Sequence, residues 1–142
     1  MSFLTAFNIS ANGMSAERLR INIISSNIAN INTTRTPEGG PYKRKDVLFE
    51  ATPIEDKNSF ESQLQLETVK VKDVVEDPRP PILKYDPSHP DADKDGYVKM
   101  PNINLMEEMV NLINASRSYE ANVQVMRSAK EMISRTIEIL RI

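Results

Sequence analysis

Asp91, Asp93 and Asp95, followed by Gly96, occupy the first, third, fifth and sixth places of a calcium-binding loop. Alternate carboxylates there would supply hard oxygen ligands, and the glycine would turn the chain. The twelfth place, however, is Asn102 rather than the glutamate that closes such a site. Pro101 stands beside it, and "YDPSHP" cannot form the entering helix. The spacing predicts an acidic turn, with weak adventitious cation binding as its limit. His89 is the single histidine, flanked by Pro87 and Pro90, and the chain has no cysteine to join it as ligand or nucleophile. A Gly-rich phosphate loop and a Ser/His/Asp order are also absent, so no catalytic residue, metal, cofactor or small-molecule substrate is expected. Lys43, Arg44 and Lys45 could meet an acidic partner, but Asp46 follows them and they read equally well as a solvated loop.

The elements that would carry these residues follow from where proline falls. All nine prolines, and three of the four glycines, lie between Pro37 and Pro101. A helix-interior proline costs about 3 kcal/mol. Helices are therefore confined to the two ends, which divides the chain into 1–32, 33–101 and 102–142. In the first part Phe3, Phe7, Met14, Ile21, Ile24, Ile28 and Ile31 share one seam of alternating three- and four-residue spacing, interrupted by Ser10 and Glu17. This predicts a helix from about Phe3 to Asn30, weakened by Gly13 and ended by Asn30 or Asn32. In the last part, the row Leu105, Met109, Leu112, Ser116, Tyr119, Val123, Met126, Lys130, Ile133, Ile137 and Leu140 is apolar at nine of its eleven places. Such a repeat predicts a coiled-coil-like rod from Asn104 to Leu140. "DVLF", "SQLQLETVKVKDVV" (alternating at Leu64/Leu66 and Val69/Val71) and "ILKY" read as short strands or extended pieces between loops. The expected fold is mainly α, with two long terminal helices paired as an antiparallel coiled-coil-like hairpin and a small β-containing middle.

The first helix has an unusual polar side. Only Glu17, Arg18 and Arg20 are charged among the first 34 residues, whereas Asn8, Asn12, Ser15, Asn22, Ser26 and Asn30 lie near a helical line away from the seam. A helix packed on several sides can bury amides against hydrogen-bonding neighbours but cannot bury unpaired charge. The uncharged face is accordingly expected to meet other subunits. At 142 residues with 39% apolar and 6% aromatic content, the chain is also lean for a self-sufficient core. A net charge of −2 gives no footprint for nucleic acid. No apolar run approaches the length that spans a bilayer, and "MSFLTAFNIS" lacks the features of a secretory signal.

"SANGMSAERLRINIISSNIANINTTRTPEGGPYKRKDVLFEA" and "HPDADKDGYVKMPNINLMEEMVNLINASRSYEANVQVMRSAKEMI" resemble the amino- and carboxy-terminal signatures of bacterial flagellar rod proteins. The shared elements are Asn-Ile-Ala-Asn, here Asn27 to Asn30, and Arg-x-Tyr-x-x-Asn, here Arg117, Tyr119 and Asn122. Roughly residues 50 to 80 carry no such motif. The resemblance implies a non-enzymatic structural subunit of the basal-body rod, exported without a cleaved signal through the flagellar type III apparatus. It implies helical assembly in the periplasm with proximal and distal rod proteins, with copies of itself and with an adaptor at the MS-ring base, to transmit torque. Asn8, Asn12, Asn22, Asn27, Asn30, Arg117 and Asn122 are then the candidate subunit contacts. A soluble coiled-coil adaptor forming a discrete oligomer is the alternative from the binding class, and a calcium-responsive regulator is a second.

Overall fold

A computed structural model describes residues 3–54 and 66–140. The order of elements is α1 (Phe3–Ala29), β1 (Lys45–Pro53), β2 (Glu67–Glu76), β3 (Ile82–Tyr85), β4 (Tyr97–Met100) and α2 (Leu105–Leu140). The architecture is thus two helices with two small antiparallel sheets, β1–β2 and β3–β4. Leu64 and its neighbours in the expected second strand lie outside the described residues. The strand itself begins at Glu67, and β4 pairs with the expected "ILKY" strand just before Pro101.

Both helices start and stop where side chains can satisfy their free backbone groups. Asn104 Oδ1 accepts the N–H of Met106 at 3.0 Å, which caps α2 just after Pro101. Asn30 ends α1 by donating its amide to the Ser26 carbonyl at 2.8 Å, and its own Oδ1 accepts from the Thr33 hydroxyl. In β1–β2 the register slips between Leu48 and Phe49, so that Leu48 faces Asp73 while Phe49 faces Val71. This bulge adds twist to the ribbon.

Among the described elements, α1 and α2 make the most extensive contact. Gly13 lies against Asn122, and Asn27 against Glu108, contacts that run in opposite chain directions. Each pair of positions is about four turns apart on its own helix, so the axes stay side by side over about 21 Å. A Cβ on Gly13 would stand 2.9 Å from Asn122 Nδ2. Glycine therefore weakens α1 locally but permits this close approach.

The row of α2 that faces α1 differs from the expected one. Glu108, Ala115 and Ala129 are buried, and Leu112, Tyr119, Asn122, Met126 and Ile133 are partly buried. Leu105, Met109, Ile137 and Leu140, expected in the seam, are exposed instead. Leu112, Tyr119, Met126 and Ile133 belong to both rows. The companion position lies three residues after each of them, at Ala115, Asn122 and Ala129, rather than three before. Small side chains there let the helices approach, and the larger apolar residues turn outward. On α1 the buried positions include Ser10, Gly13, Ala16, Ile24 and Asn27, whereas Phe7, Met14, Ile21 and Ile28, and Ile31 in the turn that follows, are half-buried. Val123 is likewise half-buried.

The β1–β2 ribbon lies along a second side of α1 and is tied to it at two levels. Asn27 bonds the backbone of Lys45 at the start of β1, and Asn12 Nδ2 donates to the Thr68 hydroxyl at 3.1 Å. Arg20 places its guanidinium 5.9 Å from the centre of the Phe49 ring. Glu17, the charged interruption of the seam, is held 3.9 Å from Arg20. α1 is therefore covered on two sides within its own chain.

Candidate functional site

The polar junction around Asn27 joins α1, the start of β1 and α2. Asn27 is fully buried, and its side chain makes four hydrogen bonds. Nδ2 donates to the Lys45 carbonyl at 2.8 Å and to Glu108 Oε2 at 2.9 Å. Oδ1 accepts the Lys45 N–H at 3.0 Å and the Tyr42 hydroxyl at 3.1 Å. By pairing with both backbone groups of one residue, the amide continues the strand's hydrogen bonding into the helix. Glu108 is 1% exposed, and Arg44 Nε donates to its Oε1 at 2.8 Å. Arg44 Nη1 reaches Asp46 Oδ2 at 3.0 Å. Burial opposes the charge on Arg44, but hydrogen bonds to Asp46 and Glu108 outweigh it and hold the guanidinium pKa above its ordinary value. A carboxylate buried this far from water is tolerable because both oxygens have donors.

Several residues expected at subunit contacts have partners within the chain. Asn27 is consumed within the chain, and Asn30 closes its own helix. Asn12 is engaged by Thr68, and Asn122 packs over Gly13 while donating to the Ser118 carbonyl at 3.0 Å. Asn8, Asn22 and Arg117 are exposed. Much of the uncharged character of α1 thus has an intramolecular cause. Glu108 and Tyr42 are not among the candidates, and Arg44 is there only as one of a basic cluster. For Glu108 the signal is the seven-residue spacing that puts it in phase with Ala115, Asn122 and Ala129, a row masked by the larger apolar residues.

The acidic loop is held by its own donors. Asp93 Oδ1 accepts the N–H groups of Asp95 and Tyr97 at 3.0 and 2.8 Å, and Asp91 Oδ2 accepts from the Thr34 hydroxyl at 2.8 Å. Gly96 has φ of +83°, and a Cβ there would stand 2.9 Å from the Tyr85 ring. The loop therefore turns β3 into β4 and fastens it to the segment after α1. His89, half-buried, accepts the N–H of Asp91 at its Nδ1. Lys43 is paired with Glu76 at 3.0 Å, so two of the three clustered cations, Lys43 and Arg44, are engaged within the fold.

What remains open is a pair of helix faces. On α1 the exposed positions Asn8, Ser15, Arg18, Asn22, Ser25 and Ala29 keep helical spacing. On α2, Met106, Met109, Val110 and Ile113 are exposed apolar residues on the side away from Glu108. The first turns of α2 therefore carry a charge inside and apolar side chains outside. That inversion is characteristic of a helix whose outer face is covered by something else.

Residues 7–35 match the family model described as flagella basal body rod protein, and residues 94–139 match the one for the C-terminal part of the FlgEFG rod proteins. The chain is 43% identical to the flagellar basal-body rod protein FlgC of Borreliella burgdorferi, the alignment covering 99% of each. The chain belongs to the FlgC family of flagellar basal-body rod proteins. It is also 39% identical to FlgC of Escherichia coli O157:H7 over 98% of both chains. To FlgC of Bacillus subtilis it is 39% identical over 96% of this chain and 99% of that one. The two matched segments of this FlgC-family chain hold most of α1 and α2, and with them Asn27 and Glu108 from opposite ends of the junction.

Proposed function

We propose that the chain is a structural subunit of the proximal rod of the flagellar basal body, and that its work is mechanical rather than catalytic. The observation that carries this reading is identity of 38–43% to FlgC proteins along almost the whole chain. The exposed apolar side of α2 supports assembly, since such a surface on a free subunit asks for a partner. In this reading segments 1–32 and 102–142 form the rod core as an antiparallel coiled-coil-like pair, joined through 33–101. The subunit packs with other proximal and distal rod proteins and with copies of itself, in heterologous contacts that propagate as an open helix. It meets an adaptor at the MS-ring base, reaches the periplasm through the flagellar type III apparatus without a cleaved signal, and passes torque along the shaft. Asn8, Asn22 and Arg117 are its subunit contacts among the residues first considered.

Deletion of the gene in its flagellated host tests the proposal. Isolated basal bodies should lose the rod beyond the level of this subunit, swimming should stop, and the wild-type gene should restore both. Normal rods and motility in the deletion strain would refute it.

A further inference from the structure

α2 has a third face beside its α1-facing row and its charged side. Val110, Asn114, Ala121, Val125, Met132 and Ile139 are all exposed and follow one another at helical spacing, with serines between them. The line runs over about 44 Å of helix, bordered along one edge by Arg117 and Arg135, with Glu131 further round. An occupant of such a face must bring little charge of its own, because an ammonium or carboxylate pressed against it would lose water without gaining a partner.

Among the described elements of this chain, only the outer stripe of α1 meets that requirement. From Asn8 to Ala29 it carries a single charge, Arg18, whose stem is long enough to take the guanidinium past a neighbouring helix into water. The exposed strand residues Lys70, Lys72, Lys84 and Lys99 make the sheets a poor match. The stripe is about 32 Å long and fits within the α2 face. Its Asn, Ser and Ala side chains leave room for Val125, Met132 and Ile139, as large residues require of a helix packed against them. Self-pairing of the α2 face gains nothing electrostatically: a two-fold axis at Val125 would set Arg117 of each copy between Glu131 and Arg135 of the other, so that attraction and repulsion offset.

We infer that the uncharged face of α2, centred on Val125, receives the Asn8–Ala29 stripe of α1 from a second copy of this chain. The contact is one-way: each copy offers one face and accepts on the other, so it extends a row of subunits rather than closing a dimer. The inference rests on the rod-subunit reading and specifies which surfaces that reading uses.

The absence of native cysteine makes cross-linking direct. Two differently tagged copies, one carrying Ser15→Cys or Ser25→Cys and the other Ser118→Cys or Ser128→Cys, are expressed together in a host lacking its own subunit. Isolated basal bodies are then treated with a short bismaleimide. Covalent dimers between α1 and α2 variants are expected, with little product from two α1 or two α2 variants and none from Asp73→Cys controls. Subunits that incorporate yet fail to cross-link this way, or that join α2 to α2, overturn the inference and leave the rod assignment standing. Failure of the wild-type chain to enter basal bodies overturns both. A second measurement does not depend on cysteine: Val125→Lys should keep the helical circular dichroism of the purified subunit while its incorporation falls about tenfold or more. Incorporation of that variant at the wild-type level overturns the inference.

Discussion

Replacing Asn27 by Ala removes hydrogen bonds to Lys45, Tyr42 and Glu108 together and strands the N–H and C=O of Lys45. With about 1–3 kcal/mol for each buried group left unsatisfied, the loss in urea denaturation should exceed about 3 kcal/mol. Asn22→Ala on the exposed stripe should stay within about 0.5 kcal/mol. Equal effects would show that the junction contributes no more than ordinary surface. Glu108→Gln should cost about 3 kcal/mol, near the lower end for a broken buried pair, because Asp46 remains beside Arg44. A second charge effect is local. The Arg79 guanidinium donates to both oxygens of Asp77 and, with the Arg79 N–H, holds that carboxyl pKa down at about 2. Because the folded value lies below the ordinary one, this contribution is complete above about pH 4 and is lost as pH falls through about 2. Arg79→Gln should return the Asp77 titration, followed by carboxyl carbon NMR, toward the ordinary value of 3.8. An unmoved titration would remove Arg79 as the cause.

At the scale of elements, the proline distribution and the spacing of apolar residues made both helices legible, with expected ends within a residue or two of Phe3–Ala29 and Leu105–Leu140. The inward face of α2 was harder to read, because a seven-residue repeat can be completed on either side of Leu112 and Tyr119. Large residues at 109 and 137 favour one side, whereas the contact uses Ala115, Asn122 and Ala129. Size is a poor guide where two backbones approach closely, and the glycine opposite was read only as a weakness. Buried polar residues are equally hard to recognise, since Glu108 and Asn27 look like surface until their partners from distant segments are known. The Gly13–Asn122 contact supplies a test. Ala at position 13 gains about 1 kcal/mol of helix propensity, but its Cβ would press on the Asn122 amide. Gly13→Ala should therefore be near neutral or destabilising in the wild type and stabilising by about 1 kcal/mol when Asn122 is also Ala. Additive effects in that cycle would show that the glycine is not there for the close approach.

For the whole molecule, the offset between the helices sets where order is lost. If the contacts at Gly13–Asn122 and Asn27–Glu108 are continued at the same pitch, Phe3 reaches about the level of Met132, so the last two turns of α2 run past α1. Ile139 and Leu140 are exposed there. Amides from about Arg135 to Leu140 should exchange fastest within α2 in the free subunit and become protected in assembled rods, as hydrogen exchange would record. Uniform protection of α2 in a monomer would show that the overhang needs no neighbour. The Asn27 junction also has a consequence in time. Its bonds to Tyr42 and Lys45 close loops of 15 and 18 residues, but the bond to Glu108 closes one of 81. Closing the longer loop costs about 1.3 kcal/mol more than closing the 18-residue one. On loop-closure cost alone, α1 and the ribbon are expected to associate before Glu108 arrives, and Φ-values at Asn27 near those of the ribbon and above those of Glu108 would record that order.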